Sequence, residues 1–118
     1  MDEKLQQALE FANYRQTLNN QLHKLKLKTE SMFIIAEAAG KFTISQELIC
    51  FVDYAIRSGH TEITLLDDNK SPVHITDTAA FLKKITDRYF EVTADYFSEA
   101  QIIKKSRSVK SVLSLKDI

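Results

Sequence analysis

The feature that most constrains this chain is a stripe. Leu82, Ile85, Tyr89, Val92, Tyr96 and Ile103 recur at steps of three and four residues, broken once at Glu99. That spacing lines apolar and aromatic side chains along one side of a long helix and predicts helix over roughly residues 76–105. A heptad-like stripe serves packing within one chain as well as a seam between two. Leu82, Ile85, Tyr89, Val92 and Tyr96 are therefore the candidate oligomer seam. Phe90, Ala94 and Phe97 form a second apolar flank, which predicts contacts on more than one side of the helix. A similar stripe runs through Phe11, Leu18, Leu22, Leu25 and Met32 near the start.

The elements between these helices follow from local signals. Residues 2–30 carry no Gly or Pro and are rich in Leu, Gln, Lys and Ala, with acids at the front and lysines towards the end; all of this favours helix. Arg15 falls on the apolar seam, where it is expected to snorkel or to pair with an acid on a neighbouring helix. Residues 32–35 and 41–44 read as a β-hairpin around Ala38-Ala39-Gly40, with Gly40 supplying the positive φ of a tight turn; an extension of helix over 36–39 is the alternative. Ser45 looks like an N-cap, and Ile44 and Ile49 flank it as a hydrophobic staple. The helix that follows is expected to end at Gly59 as its C′ residue. Its apolar residues wrap most of its girth, which predicts a buried central helix with Cys50 as a small core side chain. Residues 61–66 and 73–75 make a second hairpin around Asp67-Asp68-Asn69-Lys70-Ser71-Pro72, and Asp77 or Thr76 caps the last helix.

The predicted fold is α+β: long N-terminal and C-terminal amphipathic helices, a central helix and two β-hairpins. At 118 residues the chain fits one domain, here placed at residues 1–103 with a basic Ser/Lys-rich tail over 104–118. Whether the strands form one sheet or two is open at this stage.

Formal charge balances at 16 against 16, but unevenly along the chain. Residues 61–101 hold eight acids against four bases, and residues 102–118 hold five bases against one acid. A neutral chain is a poor general nucleic-acid binder, yet its basic tail suits a phosphate or an acidic partner. Lys104, Lys105, Arg107 and Lys110, with Val112 and Leu113, are the candidate partner-binding residues, in a segment that folds on its partner; a mobile tail or one packed on its own domain is the other reading. One cysteine rules out an internal disulfide. The acidic start lacks the charge and apolar run of a signal peptide, and no apolar run approaches the ~18 residues of a membrane span. The expected location is the cytoplasm, with no membrane partner.

Motifs for chemistry are missing. His23, His60 and His74 show no close ligand pair, although His60 and His74 flank the second hairpin. Asp67-Asp68-Asn69 resembles the opening of a calcium loop, but Pro72 stands where the loop needs Gly and Thr78 where it needs Glu. Gly40 and Gly59 alone cannot build a phosphate loop. Arg88-Tyr89-Phe90 places aromatics beside a base, but at helix-core spacing in an acidic region. No catalytic, metal-binding or cofactor-binding residue is assigned. An enzyme would have to build its site from His60, His74 and Asp67, and a non-enzymatic role is expected.

Several stretches resemble a small family of proteins from marine cyanobacterial and related tailed phages of the T-even type: Phe11-Ala12-Asn13-Tyr14-Arg15-Gln16-Thr17-Leu18, Leu48-Ile49-Cys50-Phe51-Val52, Leu65-Leu66-Asp67-Asp68-Asn69-Lys70-Ser71-Pro72-Val73, Asp87-Arg88-Tyr89-Phe90 and Ile103-Lys104-Lys105-Ser106-Arg107-Ser108-Val109. None of these is a functional motif. The resemblance implies a viral origin and a role in virion assembly or in redirecting a host machine. The expectation is an interaction or assembly protein acting on a protein partner or on itself through helical faces and the tail; the alternative is a nucleic-acid- or RNA-polymerase-associated regulator.

Overall fold

The computed structural model describes residues 2–116 in backbone and residues 2–106 in side chain. The fold is α+β, with the element order α1 (Glu3–Met32), β1 (Ile34–Glu37), β2 (Gly40–Thr43), α2 (Gln46–Arg57), β3 (Ile63–Leu66), β4 (Pro72–Ile75) and α3 (Thr78–Lys116). β1 pairs antiparallel with β2 and β3 with β4, as two separate two-stranded sheets. The chain clusters into two compact units, one of residues 1–28 and 95–118, the other of Thr29–Ala94.

The second unit holds the main core. Ile35, Phe42, Ile44, Val52, Leu65, Val73, Ile75, Phe81 and Ile85 form one buried cluster, and Leu48, Ile49, Ile63, Leu82 and Tyr89 pack against it. Strand alternation delivers these residues: Phe42 on β2, and Val73 and Ile75 on β4, sit at every second position and point inward while their neighbours face out. Phe42 and Phe81 meet edge to face with centroids 5.6 Å apart.

Helix ends follow their local chemistry. Ser45 caps α2 by accepting from the Leu48 N–H at 3.1 Å. The other end of α2 is a Schellman motif: Gly59 has φ +89°, its N–H donates to the Ile56 carbonyl, and the His60 N–H donates to the Ala55 carbonyl, both at 2.9 Å. Asp77 caps α3 by accepting from the Ala80 N–H at 3.0 Å. The α3 backbone runs past the expected end near residue 105 to Lys116, because lysine, arginine and leucine outweigh the serines and no Gly or Pro intervenes.

Three expectations are corrected. First, Gly40 does not supply the turn's positive φ. Ala38 (φ 49°) and Ala39 (φ 68°) do, forming a two-residue loop between the paired residues Glu37 and Gly40. Positive φ at both loop positions matches the twist of the flanking strands. Gly40 is needed instead for close approach: a Cβ there would lie 2.5 Å from Val73 Cγ2. Second, α2 is not a buried central helix. Only Val52 and Ala55 are buried, whereas Phe51 and Tyr54 are 54% and 66% exposed and Cys50 lies at the surface. The core lies on one side of α2, so apolar residues around its girth cannot all reach it. Third, the second flank of α3 is not covered: Phe90 and Phe97 are 66% and 67% exposed.

Candidate functional site

The two hairpins are joined by an acidic turn. Asp68, Asn69 and Lys70 form a three-residue loop between the bonded pair Asp67 and Ser71: the Asp67 N–H donates to the Ser71 carbonyl, the Lys70 N–H donates to the Asp67 carbonyl, and Lys70 stands at φ 62°. This is a type I turn followed by a left-handed bulge residue. The Asp67 carboxylate turns inward. Its Oδ1 accepts from the Asn69 and Ser71 N–H groups at 3.0 and 2.9 Å, and its Oδ2 from the Lys41 N–H at 3.3 Å. Asp68 accepts from the Thr43 N–H at 3.0 Å and from its hydroxyl at 2.6 Å, while its own N–H donates to the Lys41 carbonyl at 2.8 Å. The outward backbone groups of β2 are thus satisfied by the turn of the other hairpin rather than by a third strand. The Ser71 N–H does most to hold the Asp67 carboxyl below its ordinary value; desolvation opposes it, and the Lys41 and Asn69 N–H groups reinforce it. The pair that resembled a calcium loop is a structural clasp.

The outer edge of β1 meets α3 differently. Lys84 Nζ donates to the Ala36 carbonyl at 3.0 Å and to Glu37 at 2.7 Å, and Arg88 Nε donates to the Met32 carbonyl at 3.0 Å. An open cleft of about 520 Å³ lies between them, lined by Ile34, Ile35, Ala36, Lys84, Asp87, Arg88 and Glu91. A second cleft, about 320 Å³, is lined by Phe51, Tyr54 and Ala55 of α2, His60, and Glu62, Ile63 and Thr64 at the start of β3.

The expected seam is largely spent inside the chain. Ile85 and Val92 are buried, Leu82 and Tyr89 pack on the core cluster, and Tyr96 is half-buried. Tyr89 also stacks near Phe33 and accepts from the Gln46 side-chain amide at 2.8 Å. Lys104 and Lys105 are exposed on α3. The side chains of Arg107, Lys110, Val112 and Leu113 lie outside the described residues.

The unit of residues 1–28 and 95–118 is thinly packed. Of its described residues only Leu25 is buried, while Leu5, Leu9, Phe11, Leu27, Phe97 and Ile102 are each at least 46% exposed. Lys28 pairs with Glu99 at 3.6 Å, and the Arg15 guanidinium lies 5.9 Å from the centre of the Phe11 ring, a cation–π contact within α1.

His60 and His74 have separate neighbours. His74 Nε2 lies 3.0 Å from Glu62 and its Nδ1 3.3 Å from the Thr64 hydroxyl, while His60 lines the smaller cleft. Among the described residues no group of three or more His, Cys, Asp or Glu could hold a metal ion, and no helix is long and apolar enough to cross a membrane. Sequence reasoning missed the clasp and the smaller cleft. Asp67-Asp68 reads as turn chemistry for its own hairpin and gives no sign of the bonds to Lys41 and Thr43. Comparison of the chain with known protein families, characterised proteins and solved structures finds no match.

Proposed function

We propose that this is a non-enzymatic interaction or assembly protein, working through helical faces of the unit of residues 1–28 and 95–118 and through the basic run that begins at Lys104. One observation carries the reading: that unit buries a single described side chain and leaves six large apolar ones in solvent. In proteins most helical stability comes from packing an apolar face rather than from intrinsic propensity. A partner, or a second copy, supplies the missing packing. The resemblance to tailed-phage proteins supports an assembly role of the kind small virion or host-directed proteins perform.

The test is the state of the full chain in solution. Replacing Leu9 and Phe97 by Asp is expected to abolish self-association, read by sedimentation velocity, or capture of the native partner, while circular dichroism stays helical. A parent protein that is monomeric and captures nothing, or association untouched by both substitutions, sinks the reading.

The exposure of Lys104 and Lys105 favours a second reading, a nucleic-acid-associated regulator. Binding through four bases would weaken steeply with salt, by roughly 0.9 log units of affinity per phosphate contact for each tenfold rise in salt. Replacing Lys104, Lys105, Arg107 and Lys110 by Gln would flatten that slope; salt-independent binding excludes this reading.

A further inference from the structure

We infer that β3 and α2 form a docking groove for an extended peptide of another protein, one that carries apolar residues on one face and basic residues on the other, and that adds to β3 as a third strand. The hydrogen-bond parity of the hairpin exposes this edge. The Asp67 N–H donates to the Ser71 carbonyl, so within the register Ile63↔Ile75, Thr64↔His74, Leu65↔Val73 and Leu66↔Pro72 the bonded pairs are the odd-numbered residues of β3. Pro72, which has no N–H to give, falls at an unbonded pair, as that parity requires. The N–H and C=O groups of Thr64 and Leu66 therefore point away from β4. β3 has no second strand neighbour, and among the described residues no other backbone group bonds them.

An unprotected edge is a template for another strand, and this one has a pocket beside it. The cleft of about 320 Å³ between α2 and β3 offers Phe51 and Tyr54, both more than half exposed, over Ala55 and Ile63. Leu66, 62% exposed, stands at the other end of β3 on the opposite face from Ile63 and Leu65. The other three strand edges are managed differently. Asp67 and Asp68 occupy that of β2, Lys84 reaches the Ala36 carbonyl on that of β1, and on that of β4 Pro72 removes one donor and leaves the outward groups of His74. Main-chain bonds supply affinity in strand addition, and pockets for alternate side chains supply selectivity.

Charge selects the occupant. Glu62 directly precedes β3 and Asp67-Asp68 directly follows it, and the cleft beside it is lined by Glu62 and by no lysine or arginine. A second copy would bring the same acidic surplus to the edge, whereas a basic-apolar strand is complementary to it.

The probe is a blocked hexapeptide, acetyl-Lys-Val-Lys-Phe-Lys-Val-amide, titrated into the full chain, with amide hydrogen exchange of Thr64 and Leu66 as readout. Two further peptides are N-methylated at one or the other alternate set of residues. The expected result is binding with slowed exchange at both amides. One methylated set should lose affinity about tenfold, from two or so hydrogen bonds, and the other should bind like the parent. Phe51→Ala, at an exposed position, should weaken binding without unfolding the protein. Equal tolerance or equal loss of both methylated sets overturns the proposal, as does no binding at about 1 mM peptide. Protection of Thr64 and Leu66 that grows with protein concentration in the absence of peptide also overturns it, in favour of pairing between copies.

Discussion

Gly40→Ala is the substitution whose outcome the structure specifies most sharply. Gly40 is buried in β2, and its added Cβ would sit 2.5 Å from Val73 Cγ2, 3.2 Å from Phe42 Cε2 and 3.3 Å from the Glu37 carbonyl oxygen. The first distance is more than 1 Å inside ordinary carbon–carbon contact, ~3.5–4.0 Å. Relief requires the Val73 side chain to turn, but valine is stiff at χ1 and Val73 is only 7% exposed in the core cluster. Overpacking of this kind costs about 1–3 kcal/mol. Against it stands a gain of ~0.4–1 kcal/mol, because alanine restricts the unfolded chain and Gly40 does not use a positive φ. The net expectation is a loss of about 1–2 kcal/mol, or roughly 4–10 °C in melting temperature for a chain of this size. Urea denaturation of a double-mutant cycle isolates the contact. Val73→Ala removes Cγ2 at its own cavity cost, and in that background Gly40→Ala should cost nothing or stabilise. A Gly40→Ala protein as stable as the parent, or one equally destabilised with and without Val73→Ala, refutes the close-approach argument.

Three other outcomes follow from single side chains. Asp67 has its pKa held below the ordinary 3.8, chiefly by the Ser71 N–H; its contribution is fully present above that value and is lost as pH falls through the lower folded value, so the drop in urea midpoint from pH 6 to pH 3 should shrink in Asp67→Asn, and an unchanged drop would show that the clasp does not titrate. Lys70 stands at φ 62° with a side chain in the solvent; Lys70→Gly removes ~1–2 kcal/mol of left-handed strain and returns part of it as unfolded-state entropy, so calorimetry should show a melting temperature higher by a few degrees, and a lower one contradicts the turn assignment. The Thr78 hydroxyl is buried and has no hydrogen-bond partner among the described residues; Thr78→Val should stabilise by about 1 kcal/mol in chemical denaturation, and a loss would mean that the hydroxyl is bonded in solution.

Much of the fold was legible because its signals are local. With only Gly40, Gly59 and Pro72 as breakers, long helices at both ends were forced by the absence of anything to stop them. Ser45, Gly59 and Asp77 carry out their capping roles through groups three to five residues away, so four or five letters suffice to read them. The stripe from Leu82 to Val92 was likewise readable, because helical period alone places those residues on one face. What only the tertiary structure decided was which neighbour arrives at each face. Gly40 looked like a turn residue until Val73 was seen to press on it. Cys50 reads as a small core side chain, but the core lies on one side of α2 and leaves it at the surface together with Phe51 and Tyr54. Asp67 and Asp68 read as turn chemistry, and nothing within their own hairpin indicates that they bond Lys41 and Thr43, about 25 residues away. Periodicity and capping depend on bonds that close within a turn or two of chain. Burial, edge protection and the open edge of β3 depend on contacts between distant segments, and one sequence read by itself carries no signal for those.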